Sequence, residues 1–278
     1  MRISISNLAW DVSEDEQVAA LLRRYDIDAI DVAPGKYFPD PVNASETDII
    51  RVRKWWRERG IEITGMQALL FGTTGFNLFG PAEVQERMLR HLDAVCRIAA
   101  GLGAKWLVFG SPRNRDRSGL SDQQALDIAV AFFRSLGDIA QSHGVIICLE
   151  PNPTCYGANF MTTAAETAAV TKAVAHSAIK MQLDTGALTI NGEAYADVVR
   201  DCAPLIGHVH ASEQELLPLG DGNTDHAQVA AVLKQNLPTH VVCIEMLATK
   251  NESHEVAIER ALKVAIKHYR NDGVEQSV

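Results

Sequence analysis

The sequence has no CxxC pair, no apolar run long enough to span a membrane and no excess of positive charge. Each absence removes a class of function. The five cysteines, Cys96, Cys148, Cys155, Cys202 and Cys243, are odd in number and widely spaced, which argues against a disulfide framework. Cys148 and Cys243 lie inside apolar runs and read as buried free thiols, which suits a reducing compartment. A formal net charge of −9 is the wrong sign for a general polyanion binder, so no nucleic-acid partner is expected. No stretch offers the ~20 apolar residues of a membrane helix, so no membrane partner is expected. Met1–Ser6 lacks the apolar core of a signal peptide, and the expectation is a cytoplasmic protein. A GxGxxG turn after the first strand is also missing, which counts against an open doubly wound sheet.

Nearly half of the 278 residues (47%) are hydrophobic, enough to bury a sizeable core. Their pattern alternates between two kinds of segment. Ile3–Leu8, Ala29–Val32, Ile61–Ala68, Ala104–Gly110, Val145–Leu149, Ile179–Leu183, Pro204–His210 and His240–Ile244 read as strands. Helical stripes separate them. The first starts at Ser13, with Glu16 completing a capping box, and the second runs from about Thr47 to Arg59. Later helices follow Pro81, Ser121, Thr163, Glu193, His226 and Ser253. Of the adjacent Trp55 and Trp56, one ring is expected in the core and the other at the surface. The glycine- and aromatic-rich loop Leu69–Gly80 reads equally as a lid or as a loop packed by its own rings. Eight strand–helix units at spacings of roughly 30 to 40 residues, with no linker, predict a parallel sheet closed into a single-domain (β/α)8 TIM barrel. The barrel is expected over residues 1–270, with 271–278 a frayed tail.

Four consecutive strands finish alike. Glu150, Asp184, His210 and Glu245 close strands five to eight, and in such barrels the strand C-termini carry the active site. Alternation puts Cys148, Gln182, His208 and Cys243 one layer deeper on the same inward face. Taken singly, each acid reads as a rim salt bridge. Together, three carboxylates in one mouth repel one another, and a divalent cation relieves the repulsion. Three carboxylates and an imidazole suit manganese (Mn²⁺) foremost, with Mg²⁺, Co²⁺ or Zn²⁺ as alternatives.

The chain resembles the sugar isomerase and epimerase superfamily with a xylose-isomerase-like barrel. The resemblance is carried by Cys148-Leu149-Glu150-Pro151-Asn152-Pro153, Gln182-Leu183-Asp184-Thr185-Gly186, His208-Val209-His210-Ala211-Ser212-Glu213 and Cys243-Ile244-Glu245-Met246. The turn Val108–Arg115 after strand four is also similar. The resemblance implies that Glu150, Asp184, His210 and Glu245 ligate one divalent metal ion. It implies further that Glu150 and Glu245 are the acid/base pair, working through a metal-stabilised enediolate, and that the partner is a small-molecule carbohydrate. Members are often homodimers or homotetramers, and the same is expected here. His208 is expected to orient its neighbours from behind the ligands. Trp10, Gln67, Arg113, Asn152 and Glu213 are the candidate substrate contacts. The pattern departs in the sugar-binding shell: Ala187 stands where relatives often carry His, Leu216 where they carry Arg, and Tyr156 where they carry Glu. A sugar, sugar-acid or sugar-phosphate isomerase or epimerase is the first reading. A lyase or dehydratase on the same core, a zinc endonuclease-like hydrolase and a non-catalytic sugar-binding protein are the alternatives.

Overall fold

Runs such as Ile146-Ile147-Cys148-Leu149 are too short for a stable helix and apolar on both faces. They gain most by lying in a sheet that is covered on one side and filled on the other. The computed structural model, which describes residues 1–270, has eight such strands. They are β1 (Arg2–Ser6), β2 (Ala29–Val32), β3 (Glu62–Met66), β4 (Trp106–Phe109), β5 (Ile146–Leu149), β6 (Ile179–Asp184), β7 (Ile206–Ser212) and β8 (Val241–Glu245). All neighbours are parallel, and β1 pairs with β8 to close a single-domain (β/α)8 barrel. The tail at 271–278 lies outside the described residues.

Helices ring the barrel. In chain order they are α1 (Asp15–Arg24), α2 (Pro34–Tyr37), α3 (Glu46–Arg57), α4 (Ala82–Leu102), α5 (Asp122–Ser142), α6 (Ala164–Val174), α7 (Thr185–Asn191), α8 (Tyr195–Cys202), α9 (His226–Asn236) and α10 (His254–Tyr269). The longer ones, α1, α4, α5 and α10 among them, bury an apolar stripe in the core. Ser121 caps α5 in a reciprocal box with Gln124, which satisfies two backbone donors that a helix start otherwise leaves free. Trp56 of α3 is buried, while Trp55 stays half-buried beneath the Arg59 guanidinium, 3.6 Å from its ring centre.

Three local departures have identifiable causes. Ser13 does not start α1, because it lies inside a 3₁₀ turn, Val12–Glu14. The capping contact forms two residues earlier, with the Asp11 N–H donating to the Glu14 carboxylate at 2.8 Å. The loop after β2 contains α2, which Pro34 starts because its fixed φ is already helical. A further helix, α7, follows β6 directly. Its sequence has no amphipathic period; the Asp184 carboxylate nucleates it by accepting from the Ala187 N–H at 2.6 Å.

The barrel interior is polar at one level. Asp31 of β2 is fully buried and points inward across Gly65 of β3, where a Cβ would lie 2.3 Å from its Oδ2. Thr64 Oγ1 donates to the other oxygen at 2.9 Å. Gly65→Ala forces this carboxylate to move in a close-packed interior. It is expected to lower the unfolding free energy by about 1–3 kcal/mol, read as a shift of the urea midpoint at unchanged slope.

Candidate metal centre

Register sets the heights of the strand-end side chains. Asp184 pairs with His210, and Ser212 with Glu245, across neighbouring strands. Glu150 follows the last residue of β5. One ligand-type atom from each of Glu150, Asp184, His210 and Glu245 falls within 4.8 Å of all the others. His210 Nδ1 faces Glu150 Oε1 at 3.4 Å and Glu245 Oε2 at 3.2 Å. Gly110 makes room for this arrangement, since a Cβ there would sit 1.9 Å from Glu150 Oε2.

Each carboxylate is oriented from outside the cluster. Asp184 accepts the Ser212 hydroxyl at 2.7 Å on the oxygen not used by the α7 cap. Gln67 donates to Glu245 Oε1 at 2.5 Å, and Asn152 to Glu150 Oε2 at 3.2 Å. The Arg115 guanidinium, fully buried, donates to the Glu150 backbone carbonyl at 2.7 Å. Below the cluster, His208 Nε2 meets Asp31 Oδ2 at 2.6 Å, and the His208 and His210 rings stack edge to face, 5.4 Å apart.

The charges are not balanced by the protein alone. Burial, and then the Glu245 and Glu150 carboxylates, push Asp184 up to about 8. Burial disfavours the His210 cation, but Glu245 and Glu150 outweigh it and hold the imidazole protonated well above its usual range. Burial also opposes the Glu245 charge, yet His210 and the Gln67 amide keep that carboxyl below its ordinary value. Two further atoms lack partners: Glu150 Oε1 and His210 Nε2 are buried without a hydrogen bond. A cluster of three carboxylates, one imidazole and an orphaned carboxylate oxygen fits a divalent cation that accepts hard oxygen and borderline nitrogen donors. The lower group of Asp31, His208, His210 and Cys243 does not fit one. Its Asp31–His208 pair is closed on itself, and burial together with Asp31 holds the Cys243 thiol far above its usual range.

Two lobes open from the cluster and meet at Gly110, Glu150 and Glu245. The smaller, about 220 Å³, runs toward Gln67, Leu69 and Phe71. The larger, about 360 Å³, runs toward Asn152, Tyr156, Ala187 and Leu216. Of the candidate substrate contacts, Gln67 lines the smaller lobe and Asn152 the larger. Glu213 borders the larger lobe, but its carboxylate is already engaged by the Gly220 and Thr224 N–H groups and by His226, all at 2.9 Å. Its visible work is to fold the loop before α9. Two expectations need correction. Trp10 is completely buried away from both lobes, its indole N–H donating to Asp15 at 2.7 Å. Arg113 is exposed and borders neither lobe; two residues on, Arg115 takes the inward position. The loop after β3 is packed rather than free: Phe76 lies against His91 and Phe79 against Phe160, leaving Phe71 exposed at its tip. Asp31 escaped sequence reading, although an acid inside an otherwise apolar strand was a usable signal.

The fold and the strand-end cluster define a class. Residues 19–270 match the profile of the xylose isomerase-like TIM barrel family, and the chain belongs to that family. The D-psicose 3-epimerase of Agrobacterium fabrum (strain C58 / ATCC 33970) is 28% identical over 110 residues, which are 40% of this chain and 38% of that protein. The chain thus aligns with about two-fifths of that curated relative's length. A crystal structure of D-psicose 3-epimerase with D-fructose superposes at a TM-score of 0.81 and 20% identity, covering 98% of this chain and 100% of that one. The IOLI protein, solved with a zinc atom, superposes at 0.76 and 17% identity over 97% and 98% of the two chains. At these identities the solved structures bear on the fold alone.

The site generates two expectations. After reconstitution with Mn²⁺, elemental analysis should find one ion per wild-type chain and none in Asp184→Ala. The second concerns Glu213. Burial raises its carboxyl, but His226 and the Thr224 and Gly220 N–H groups overcome this and bring it from 4.5 to about 2. A depressed value means stability that is complete above the unfolded value and lost as pH falls through the folded one. The stability gap between wild type and Glu213→Gln, measured by urea unfolding, should therefore be constant above pH ~5.5 and close as pH falls from about 4.5 to about 2.

Proposed function

We propose that the protein is a divalent-metal-dependent sugar epimerase or isomerase that moves a proton at a carbon beside a ketose carbonyl. The observation that carries this reading is the pair Glu150 and Glu245. Both carboxylates border both lobes, with side chains 11% exposed, beside a donor set fitted to a divalent cation. Glu150, Asp184, His210 and Glu245 hold the cation in this reading, with manganese the first expectation. When bound, it supplies Lewis-acid polarisation of a substrate carbonyl. The epimerase named among the relatives points to the same chemistry.

The chain's own residues account for the proton movements. β5 and β8 are three strands apart in a ring of eight, so their terminal carboxylates reach a bound sugar from different sides. One glutamate takes the carbon-bound proton and leaves an enediolate. The other returns a proton to the opposite face, which inverts the carbon. Return to the neighbouring carbon instead interconverts ketose and aldose. The unpartnered Glu150 Oε1 is free to accept a proton, whereas Gln67 fixes one oxygen of Glu245 and leaves the other toward the cluster. Asn152 presents a buried Oδ1 with no partner, suited to a sugar hydroxyl. His208, braced by Asp31, fixes the orientation of the His210 ring from below.

Deuterium uptake from heavy water into a ketose reads the proposed step directly. Glu150→Gln and Glu245→Gln are each expected to slow it by about 10²–10⁴-fold. Unchanged uptake in both variants would remove the acid/base assignment.

A further inference from the structure

The larger lobe has a chemical character of its own. No lysine or arginine lines either lobe among the described residues. The charged side chains around the larger lobe are all acidic: Glu150, Asp184 and Glu245 at the cluster, Glu213 behind it and Glu215 at the rim. Apart from the cation that the cluster would hold, the lining offers a phosphate or carboxylate on the substrate no counter-charge, and Glu213 and Glu215 add negative charge beyond the cluster. Ala187, Ile190, Leu216 and Leu247 form an apolar part of the lobe's lining. None of these side chains can hydrogen-bond a hydroxyl.

This wall is built, not incidental. Glu215 and Leu216 both adopt left-handed backbone, with φ of 58° and 54°. A leucine takes that conformation only under constraint. The constraint is visible: the Glu215 N–H donates to Tyr156 Oη at 2.9 Å, and the Leu247 N–H donates to the Leu216 carbonyl at 2.9 Å. These bonds tie the loop after β7 to those after β5 and β8, and they hold Leu216 beside Leu247 over the lobe. Leu247 is 48% exposed, an apolar side chain facing water at the edge of the lobe.

We propose that the substrate is an uncharged ketose that turns a carbon without a hydroxyl, a methyl terminus or another apolar substituent, against the wall of Ala187, Ile190, Leu216 and Leu247. This rests on the sugar epimerase or isomerase reading of the same site. A hydroxyl placed against the wall loses its water and gains no partner, so the parent sugar binds more weakly than its deoxy form.

Titration calorimetry on the Mn²⁺-loaded wild type tests this without requiring turnover. The probes are a ketohexose, its 1-deoxy and 6-deoxy forms, and its 1- and 6-phosphates. One deoxy ketose should bind at least about tenfold more tightly than the parent. Both phosphates should bind at least about 100-fold more weakly than that deoxy ketose. Either shortfall, or no binding by any ketose, overturns the proposal. Leu247→Arg, at a half-exposed position, puts a cation in the wall. It should erase the deoxy preference and tighten phosphate binding at least about tenfold. Wild-type selectivity in that variant also overturns the proposal. Selective binding without deuterium uptake would end the catalytic reading and leave the apolar wall standing. Uptake into the phosphates as fast as into the deoxy sugars would do the reverse.

Discussion

Three carboxylates and an imidazole crowd into the mouth of the barrel, and their mutual electrostatics govern the arrangement around them. Like charges that close cannot all ionise in a buried site without a counter-charge. The protein spends several hydrogen bonds on keeping the groups together regardless. Gln67 fixes one oxygen of Glu245, Ser212 and the start of α7 hold both oxygens of Asp184, and Arg115 grips the backbone at Glu150. Within the cluster, Glu150 Oε1 and His210 Nε2 remain without a hydrogen bond, and together with the crowded carboxylates they suit a divalent cation.

The barrel supports this concentration of charge by layering. One level down, Asp31 and His208 are paired, and the His208 ring lies edge to face against that of His210. That layer exists because Gly65 has no side chain, just as the upper layer depends on Gly110 having none. Outside the cluster the character changes abruptly. Beyond the cluster the charged lining is acidic and the rest is apolar or neutral polar, and the loop after β7 is tied to the loop after β5 through Tyr156 Oη and to the loop after β8 through the Leu247 N–H.

Much of this was legible in the chain. The strands end in Glu150, Asp184, His210 and Glu245, and regular strand–helix alternation places such residues at one mouth. The positions of Gln67 and Asn152 beside the lobes were legible too, because they stand at or just beyond strand ends. The misreadings share a cause. Trp10 and Arg113 were chosen for residue type and nearness to a strand end, but direction in an irregular loop is set by turns that sequence spacing does not encode. The 3₁₀ turn at 112–115 directs Arg115 inward and leaves Arg113 exposed. Glu213, also a candidate contact, has partners at Gly220, Thr224 and His226 that lie 7 to 13 residues on, and no local pattern pairs them with it.

The sequence by itself determined the barrel, its eight units and the four residues at the strand ends, because side-chain alternation and apolar periodicity are local properties of a chain. Tertiary structure alone decided what surrounds them. The pairing of Asp31 with His208 spans 177 residues, and that of Gln67 with Glu245 spans 178. Contacts at such separations exist only once the ring of strands has closed. So does the wall formed by Ala187, Ile190, Leu216 and Leu247, contributed by the segments that follow three different strands. Periodicity acts between near neighbours along the chain, whereas the balance of charge and the shape of the mouth arise between residues that only closure makes neighbours.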